Sequence, residues 1–310
     1  MKENKDHNDS SVRMALSETG ADIRLLVLDV DGTLVDESSC VRDSVAHAIN
    51  SAQRRGVAIA IATGRLFQTS LPAYDSIGST LPLICCEGAL VRDRNTGFVH
   101  RHWSLEPRVA AQLLDHTERL SMSGRLSIHF YIDDDVYVSN LNRASINYFE
   151  GSNVEPIVMS DLRQLLNRAT TKVLVLSDNV QIIARLSSEL KTAHSRTQVK
   201  QYKSITFLEA FHPAVNKRLA VSYLAEEIMS LRPENVMAVG DDFTDIEMLQ
   251  YAGIGVAMGN APAEVKASAD CVTTTIEEDG VARAIERWIL RTESHPAPTP
   301  AYDVRLRSSM

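Results

Sequence analysis

The sequence predicts a doubly wound, mainly parallel α/β sheet into which an α+β module is inserted. Three observations predict it. Residues 23–28 are apolar apart from Arg24 and run into Asp29-Val30-Asp31-Gly32-Thr33, which reads as a strand buried on both faces and ending in a tight loop. A second such run, 57–62, follows a helical stretch; strand, helix and strand within about thirty residues make a right-handed βαβ unit. Between residues 89 and 212 paired short runs around turn signals replace that rhythm, which resumes at about 213. Hairpins mixed with helices mark a separate α+β module.

The elements follow in order. Val45, Ala48, Ile49 and Ala52 share one helical face, closed by Arg54-Arg55-Gly56; the glycine suits a helix end and the arginines suit its negative pole. The strand at 57–62 ends in Thr63-Gly64-Arg65, and 81–86 predicts a third strand ending at Glu87-Gly88. Residues 89–92 and 98–102 alternate around Arg94-Asn95-Thr96-Gly97, a hairpin signal. Residues 107–120 form an amphipathic helix, and 126–132 and 136–139 flank Asp133-Asp134-Asp135 in another hairpin. Helices are predicted at 143–149, 161–168 and 180–190, a strand at 172–176 and a last pair of short strands within 199–210.

Lys217 then begins a helix with Leu219, Ala220, Tyr223, Leu224 and Ile228 on its apolar side. The strand at 235–239 ends in Gly240-Asp241-Asp242-Phe243-Thr244-Asp245, and 246–251 continues as helix. Short strands at 254–258 and 271–273, a Gly259-Asn260-Ala261-Pro262 loop with a helix after it, and a closing helix at 276–290 complete the pattern. The expected organisation is a core of 21–88 and 213–291, an inserted module of 89–212, and disordered extensions at 1–20 and 292–310, which are polar or proline-rich.

Composition narrows the function. The chain has 310 residues, 44% of them hydrophobic, enough to bury a full core. The net charge of −8 argues against nucleic acid as a partner but leaves small phosphorylated metabolites open, because a local pocket can oppose the global charge. There is no apolar run of membrane-spanning length and no secretory signal in residues 1–20. Cys40, Cys85, Cys86 and Cys271 make no metal-like spacing and read as reduced thiols of a cytoplasmic protein.

In an open α/β sheet, ligands sit at the carboxyl ends of strands. Asp29 and Asp31 are delivered there, as a nucleophile with an acid/base, as a hard-cation site, or as both; a plain Asp-Gly turn is the alternative. Thr63-Gly64 offers a hydroxyl and backbone N–H groups to a phosphate oxygen, or simply caps a helix. Asp241 and Asp245 place carboxylates at a further strand end, one helical turn apart. Lys217 by itself reads as a solvated lysine, and the three consecutive aspartates as a solvated turn rather than a cation site.

Together these pieces resemble the haloacid dehalogenase-like superfamily. DVDGT resembles its first motif, ATGR its second, Lys217 the lysine of its third, and GDDFTD its fourth. The stretch AGIGVAMGNAPAEVKASADCVT, with EEDGVA after it, is close to the corresponding part of Cof-type hydrolases, and the insertion matches a type IIB cap in position and size. The resemblance spans about residues 22–291. It implies a Rossmann-like core with an inserted α+β cap and a Mg²⁺-dependent phosphomonoesterase acting on a small phosphorylated metabolite, such as a sugar phosphate or phosphorylated cofactor. It further implies that Asp29 attacks phosphorus to give an aspartyl-phosphate and that Asp31 protonates the leaving oxygen and then activates water. That second role asks for burial, or the charge of Asp29, to favour the protonated form of Asp31.

The implied Mg²⁺ ligands are the Asp29 carboxylate, the Asp31 backbone carbonyl and Asp241, with Asp245 acting through water or orienting Lys217. Thr63 and the Gly64 N–H would hold phosphate, with Arg65, Glu87 and Thr244 lining the site, and Lys217 would balance the carboxylates. Asp31 separates this chain from the dehalogenase branch, where halide leaves without a proton. Three positions depart from the pattern: Thr244 stands where Asn is usual, Glu87 where Asn is usual, and Arg218 where Gly is common. The alternatives are a phosphomutase or phosphotransferase of the same fold, and a non-catalytic protein that binds a phosphorylated metabolite.

Overall fold

The computed structural model describes residues 22–36, 40–120, 126–150, 154–189, 196–202 and 205–291. The expected extensions at 1–20 and 292–310, and the predicted helix end at Leu190, lie outside the described residues. The chain divides into two compact units, one made of residues up to 63, 72–83 and from 217 on, the other of 64–71 and 84–216.

The first unit is built on a five-stranded sheet of β1 (Leu25–Leu28), β2 (Ala58–Ile61), β12 (Val236–Gly240), β13 (Ile254–Ala257) and β14 (Cys271–Val272). Its order is β14-β13-β12-β1-β2, and every pairing is parallel. Parallel strands covered on both faces need apolar residues throughout, and Leu25 to Leu28 are all fully buried. Helix α1 (Asp43–Arg54) buries Val45, Ala48, Ile49 and Ala52, the predicted face. The order places β1 between β12 and β2, so the ends of β1 and β12 are neighbours.

The second unit contains a six-stranded sheet of β6 (Leu126–Ile132), β7 (Asp135–Val138), β8 (Ile157–Val158), β9 (Lys172–Ser177), β10 (Arg196–Tyr202) and β11 (Ile205–Phe211). Its order is β10-β11-β9-β6-β7-β8. One face packs on α3 (Pro107–Leu120) and α5 (Val180–Glu189): Ile128, Phe130, Ile132, Val173, Val175 and Leu208 form a core with Leu113, Leu114, Ile183 and Leu186. A short helix, α4 (Arg143–Phe149), is capped by Asn142, whose side chain accepts from the Ser145 N–H.

Several details differ from expectation. The third strand is only β3 (Leu83–Cys85), and it joins β4 (Leu90–Arg92) and β5 (Val99–His102) in a separate three-stranded sheet rather than extending the parallel one. The reason is the turn after it: Cys86, Glu87 and Gly88 have φ of 50°, 57° and 94°, which folds the chain sharply between β3 and β4. The predicted helix at 161–168 is one tight turn, Leu162–Leu165, and β8 was not legible because it is two exposed residues long. The helix beginning at Lys217, α6 (Lys217–Ser222), widens at Tyr223–Ile228. Asp133 and Asp134 adopt φ of 51° and 69°, as a hairpin turn requires. Both form ion pairs with arginines, Asp133 with Arg168 at 2.8 Å and Asp134 with Arg92 at 2.6 Å. No helix among the described residues is long and apolar enough to cross a membrane.

Candidate active site

Asp29 follows β1 directly, and its N–H donates to the Val239 carbonyl at 3.0 Å. That bond fixes the end of β1 to β12. Gly240 ends β12, and Asp241 to Asp245 lead into α7 (Ile246–Tyr251). Lys217 opens α6 and is buried. Its Nζ donates to Asp29 Oδ1 at 2.6 Å and to Asp245 Oδ1 at 2.6 Å. The other oxygen of Asp245 accepts from the N–H groups of Asp241 and Asp242, each at 3.0 Å. Asp245 therefore orients both the lysine and the loop that presents Asp241.

Two glycines permit this closeness. Gly32 has φ of 81°, and a Cβ there would lie 2.3 Å from Asp241 Oδ2. A Cβ on Gly240 would lie 2.6 Å from the Asp245 Cβ. Both positions exclude a side chain because a carboxylate residue occupies the space.

Oxygens of Asp29, Asp241 and Asp245 lie within 4.8 Å of one another. Burial pushes the Asp29 carboxyl well above the usual carboxylate range; Lys217 opposes this, while Asp245 and Asp241 add to it. Burial likewise pushes Asp241 up to about 7, against the Thr33 hydroxyl bond and with the charge of Asp245. A single ammonium thus faces three carboxylates in a poorly hydrated place. A hard divalent cation with oxygen ligands fits that donor set, and Asp29 and Asp241 would hold it, while Asp245 accepts from Lys217 and from the loop amides.

Asp31 is exposed. Asp29 and Asp245 beside it are buried. Thr63 is fully buried after β2. Thr244 donates to Asp242 Oδ2 at 3.4 Å. Gly64, Arg65 and Glu87 belong to the second unit. There the Cys86 N–H donates to the Arg65 carbonyl at 2.9 Å, and a Cβ on Gly64 would lie 2.6 Å from Glu87 Oε1. The left-handed backbone at Glu87 explains why asparagine suits this position, since Asn adopts that conformation at less cost than Glu.

Two residues of the site were not singled out by sequence reasoning. Thr33 donates from Oγ1 to Asp241 Oδ1 at 2.7 Å. Asn260 donates to the Gly32 carbonyl at 2.8 Å and accepts from the Ile276 N–H at 3.1 Å, so it ties the loop after β13 to the loop after β1. Its position after a fourth strand end, in Gly259-Asn260, was the available signal.

Residues 26–285 match a family model described as haloacid dehalogenase-like hydrolase. The chain is 31% identical over 277 residues to the 5-amino-6-(5-phospho-D-ribitylamino)uracil phosphatase YcsE of Bacillus subtilis, covering 89% of this chain and 100% of that protein. It is 30% identical over 267 residues to YitU of the same organism, a phosphatase of the same name, covering 85% and 97%. Among solved structures, a haloacid dehalogenase-like hydrolase from Bacteroides thetaiotaomicron superposes with a TM-score of 0.74 at 26% identity, covering 86% of this chain and 99% of that one.

Proposed function

The chain belongs to the haloacid dehalogenase-like hydrolase family, and from that premise we propose that it is a Mg²⁺-dependent phosphomonoesterase acting on a small phosphorylated metabolite through an aspartyl-phosphate. The observation that carries this is the Lys217 ammonium bonded to both Asp29 and Asp245, with Asp241 alongside. Phosphoryl transfer needs a positioned nucleophile and compensated charge more than it needs covalent ingenuity, and this cluster offers both. Relatives named as phosphatases of a phosphoribityl compound support a small phosphorylated substrate.

In this reading Asp29 attacks phosphorus, and splitting hydrolysis into two displacements lowers each barrier. Asp31, exposed beside the loop, gives a proton to the leaving oxygen and takes one from the incoming water. Lys217 holds the Asp29 carboxylate in place and offsets negative charge as it develops. Asp29, Asp241 and the Asp31 carbonyl would hold Mg²⁺, which would supply charge neutralisation for a dianionic phosphoester. Thr63 and the Gly64 N–H hold phosphate oxygens, with Arg65, Glu87 and Thr244 at the margins. Residues 89–212 act as the cap.

The test is hydrolysis of p-nitrophenyl phosphate by the wild type and by Asp29→Asn, with and without Mg²⁺. Metal-dependent turnover lost in Asp29→Asn is the expected result. No turnover by the folded wild type in Mg²⁺ would overturn the reading.

A further inference from the structure

The loop after β1 is held from outside itself. Gly32 has φ of 81°, and glycine is the residue least able to fix its own backbone. Its N–H donates to the Val35 carbonyl at 3.0 Å. The peptide before it is trans and planar, so that hydrogen bond turns the Asp31 carbonyl the opposite way. The next carbonyl, that of Gly32 itself, accepts from Asn260 Nδ2 at 2.8 Å. Two successive peptide planes are thereby fixed, the first within the loop and the second by a residue 228 positions away.

Asn260 is itself placed by close backbone packing. The Gly259 N–H donates to the Thr274 carbonyl at 2.9 Å, and a Cβ on Gly259 would lie 2.6 Å from the Thr274 carbonyl carbon and from the Thr275 nitrogen. The loop after β13 is therefore pressed against the segment leading into the turn Ile276–Glu278. That turn carries its own capping box between Thr275 and Glu278. Arg42 grips it as well, donating to the Ile276 carbonyl at 3.3 Å and to the Glu277 carbonyl at 2.5 Å. Asn260 Oδ1 accepts from the Ile276 N–H at 3.1 Å, so the amide reaches the first loop from a braced position.

Only one orientation of that amide satisfies its neighbours. The acceptor end faces an N–H, and the donor end faces two acceptors, the Gly32 carbonyl and, at 3.5 Å, Asp241 Oδ2. Reversing the amide would set oxygen against both. The other oxygen of Asp241 accepts from Thr33 at 2.7 Å, so each oxygen of this carboxylate meets a neutral donor. Asn260 is exposed, yet both of its ends are committed to protein. A plain tie between loops accounts for the Ile276 and Gly32 bonds. It does not account for the approach to Asp241, which brings one NH₂ group to both sides of the candidate cation site.

We propose that Asn260 is a positioning residue of the cation site: its Nδ2 sets the separation between the Asp31-Gly32 segment and Asp241, and with it the affinity for a divalent cation, without touching substrate. The inference rests on the phosphatase reading above for which oxygens receive the cation. A hydrogen-bonding partner behind a ligand fixes the direction of that ligand, and losing such a partner weakens metal binding by about 10- to 100-fold. Mg²⁺ demands near-ideal octahedral geometry, whereas Ca²⁺ accepts flexible coordination. Displacing one side of the site therefore harms Mg²⁺ binding more than Ca²⁺ binding.

The test is calorimetric titration of the full chain with Mg²⁺ and with Ca²⁺, in the absence of substrate. The wild type, Asn260→Ala, Asn260→Ser and Arg55→Met are compared, with melting temperatures in chelator to show that each is folded. Arg55 donates to the Ile289 and Leu290 carbonyls at 3.0 and 2.7 Å, so its loss loosens the same unit without reaching the site. Asn260→Ala should raise the Mg²⁺ dissociation constant about tenfold or more and the Ca²⁺ constant by less. In saturating Mg²⁺ its KM for p-nitrophenyl phosphate should stay as in wild type. Asn260→Ser, whose hydroxyl is too short to serve both loops, answers the same question should the alanine variant not fold. A Mg²⁺ constant within about threefold of wild type, an equal rise in Arg55→Met, Mg²⁺ and Ca²⁺ weakened alike, or a wild type that takes up no Mg²⁺ overturns the proposal. A wild type that binds Mg²⁺ and hydrolyses nothing, with binding weakened in Asn260→Ala, upholds this positioning while sinking the phosphatase reading.

Discussion

The Lys217 ammonium lies 2.6 Å from Asp29 Oδ1, across 188 residues of chain and in a place where both side chains are buried. The same ammonium is bonded to Asp245 at 2.6 Å. Removing it leaves two buried carboxylates uncompensated. Breaking a buried pair by deleting one partner costs about 3–5 kcal/mol, so Lys217→Met should lower the melting temperature by many degrees as well as abolish turnover. Thermal unfolding and phosphatase assays check both, and a variant as stable as wild type would show that the ion pair is not what holds the strand ends together.

Gly32→Ala tests the approach of the first loop to Asp241. The substitution meets both a left-handed φ of 81° and an oxygen 2.3 Å from the new Cβ. Either the loop or Asp241 must move, and a displacement of about 1 Å at a reacting centre can cost about a hundredfold in rate. The expected result is a folded protein with turnover reduced on that order and a higher metal requirement. Unaltered metal dependence would place Asp241 outside the metal site.

Charge at the site links pH, metal and stability. Asp241 is raised to about 7, and Asp29 is raised as well. For carboxyls raised on folding, the native state holds protons that the unfolded chain releases. Their stabilising contribution is complete below the ordinary carboxylate range, near pH 4, and is lost as pH rises through about 7. A bound cation opposes that loss. Mg²⁺ should therefore raise the melting temperature more at pH 8 than at pH 5.5, conditions either side of that value. Asp241→Asn should shrink the difference. Equal stabilisation at both values would contradict the assignment.

His129 predicts the opposite slope from the second unit. It is fully buried, and burial lowers it to about 3, with the Leu174 backbone opposing only in part. For a base lowered on folding, the unfolded chain takes up the proton first. Stability falls as pH drops below about 6.5, by up to about 1.4 kcal/mol per pH unit. His129→Leu should flatten the acid limb of the stability profile, read as the difference from wild type in urea unfolding between pH 4.5 and 7. An identical acid limb in both proteins would show that His129 takes a proton in the native state.

Much of the fold is legible in the chain because its strands carry their own evidence. The runs at Leu25 to Leu28 and Val236 to Gly240 are apolar through both faces, as only doubly covered parallel strands need be, and the helical face of α1 shows in four residues. The site is legible in part for the same reason, since carboxylates stand where those runs stop. What spacing does not reveal is long-range geometry. The 188-residue reach from Lys217 to Asp29 entered through family resemblance, and the Thr33–Asp241 and Asn260–Gly32 bonds depend on loops that meet only after the sheet forms. The sheet membership of β3 turned on three successive left-handed residues, two of them not glycine, which no propensity favours. Lys172 and Glu209, whose side chains pair at 2.5 Å, lie 37 residues apart on β9 and β11, and only the pairing of those strands brings them together.

The most direct test of the central claim is to quench the full chain with acid during turnover of p-nitrophenyl phosphate in Mg²⁺ and map the modified peptide by mass spectrometry. Acid preserves an acyl phosphate long enough for this. The account predicts a phosphoryl group on Asp29, absent from Asp29→Asn and accumulating in Asp31→Asn, where departure of the phosphate is slowed. Turnover with no phosphorylated residue in either protein, or with the group on a residue other than Asp29, would contradict it.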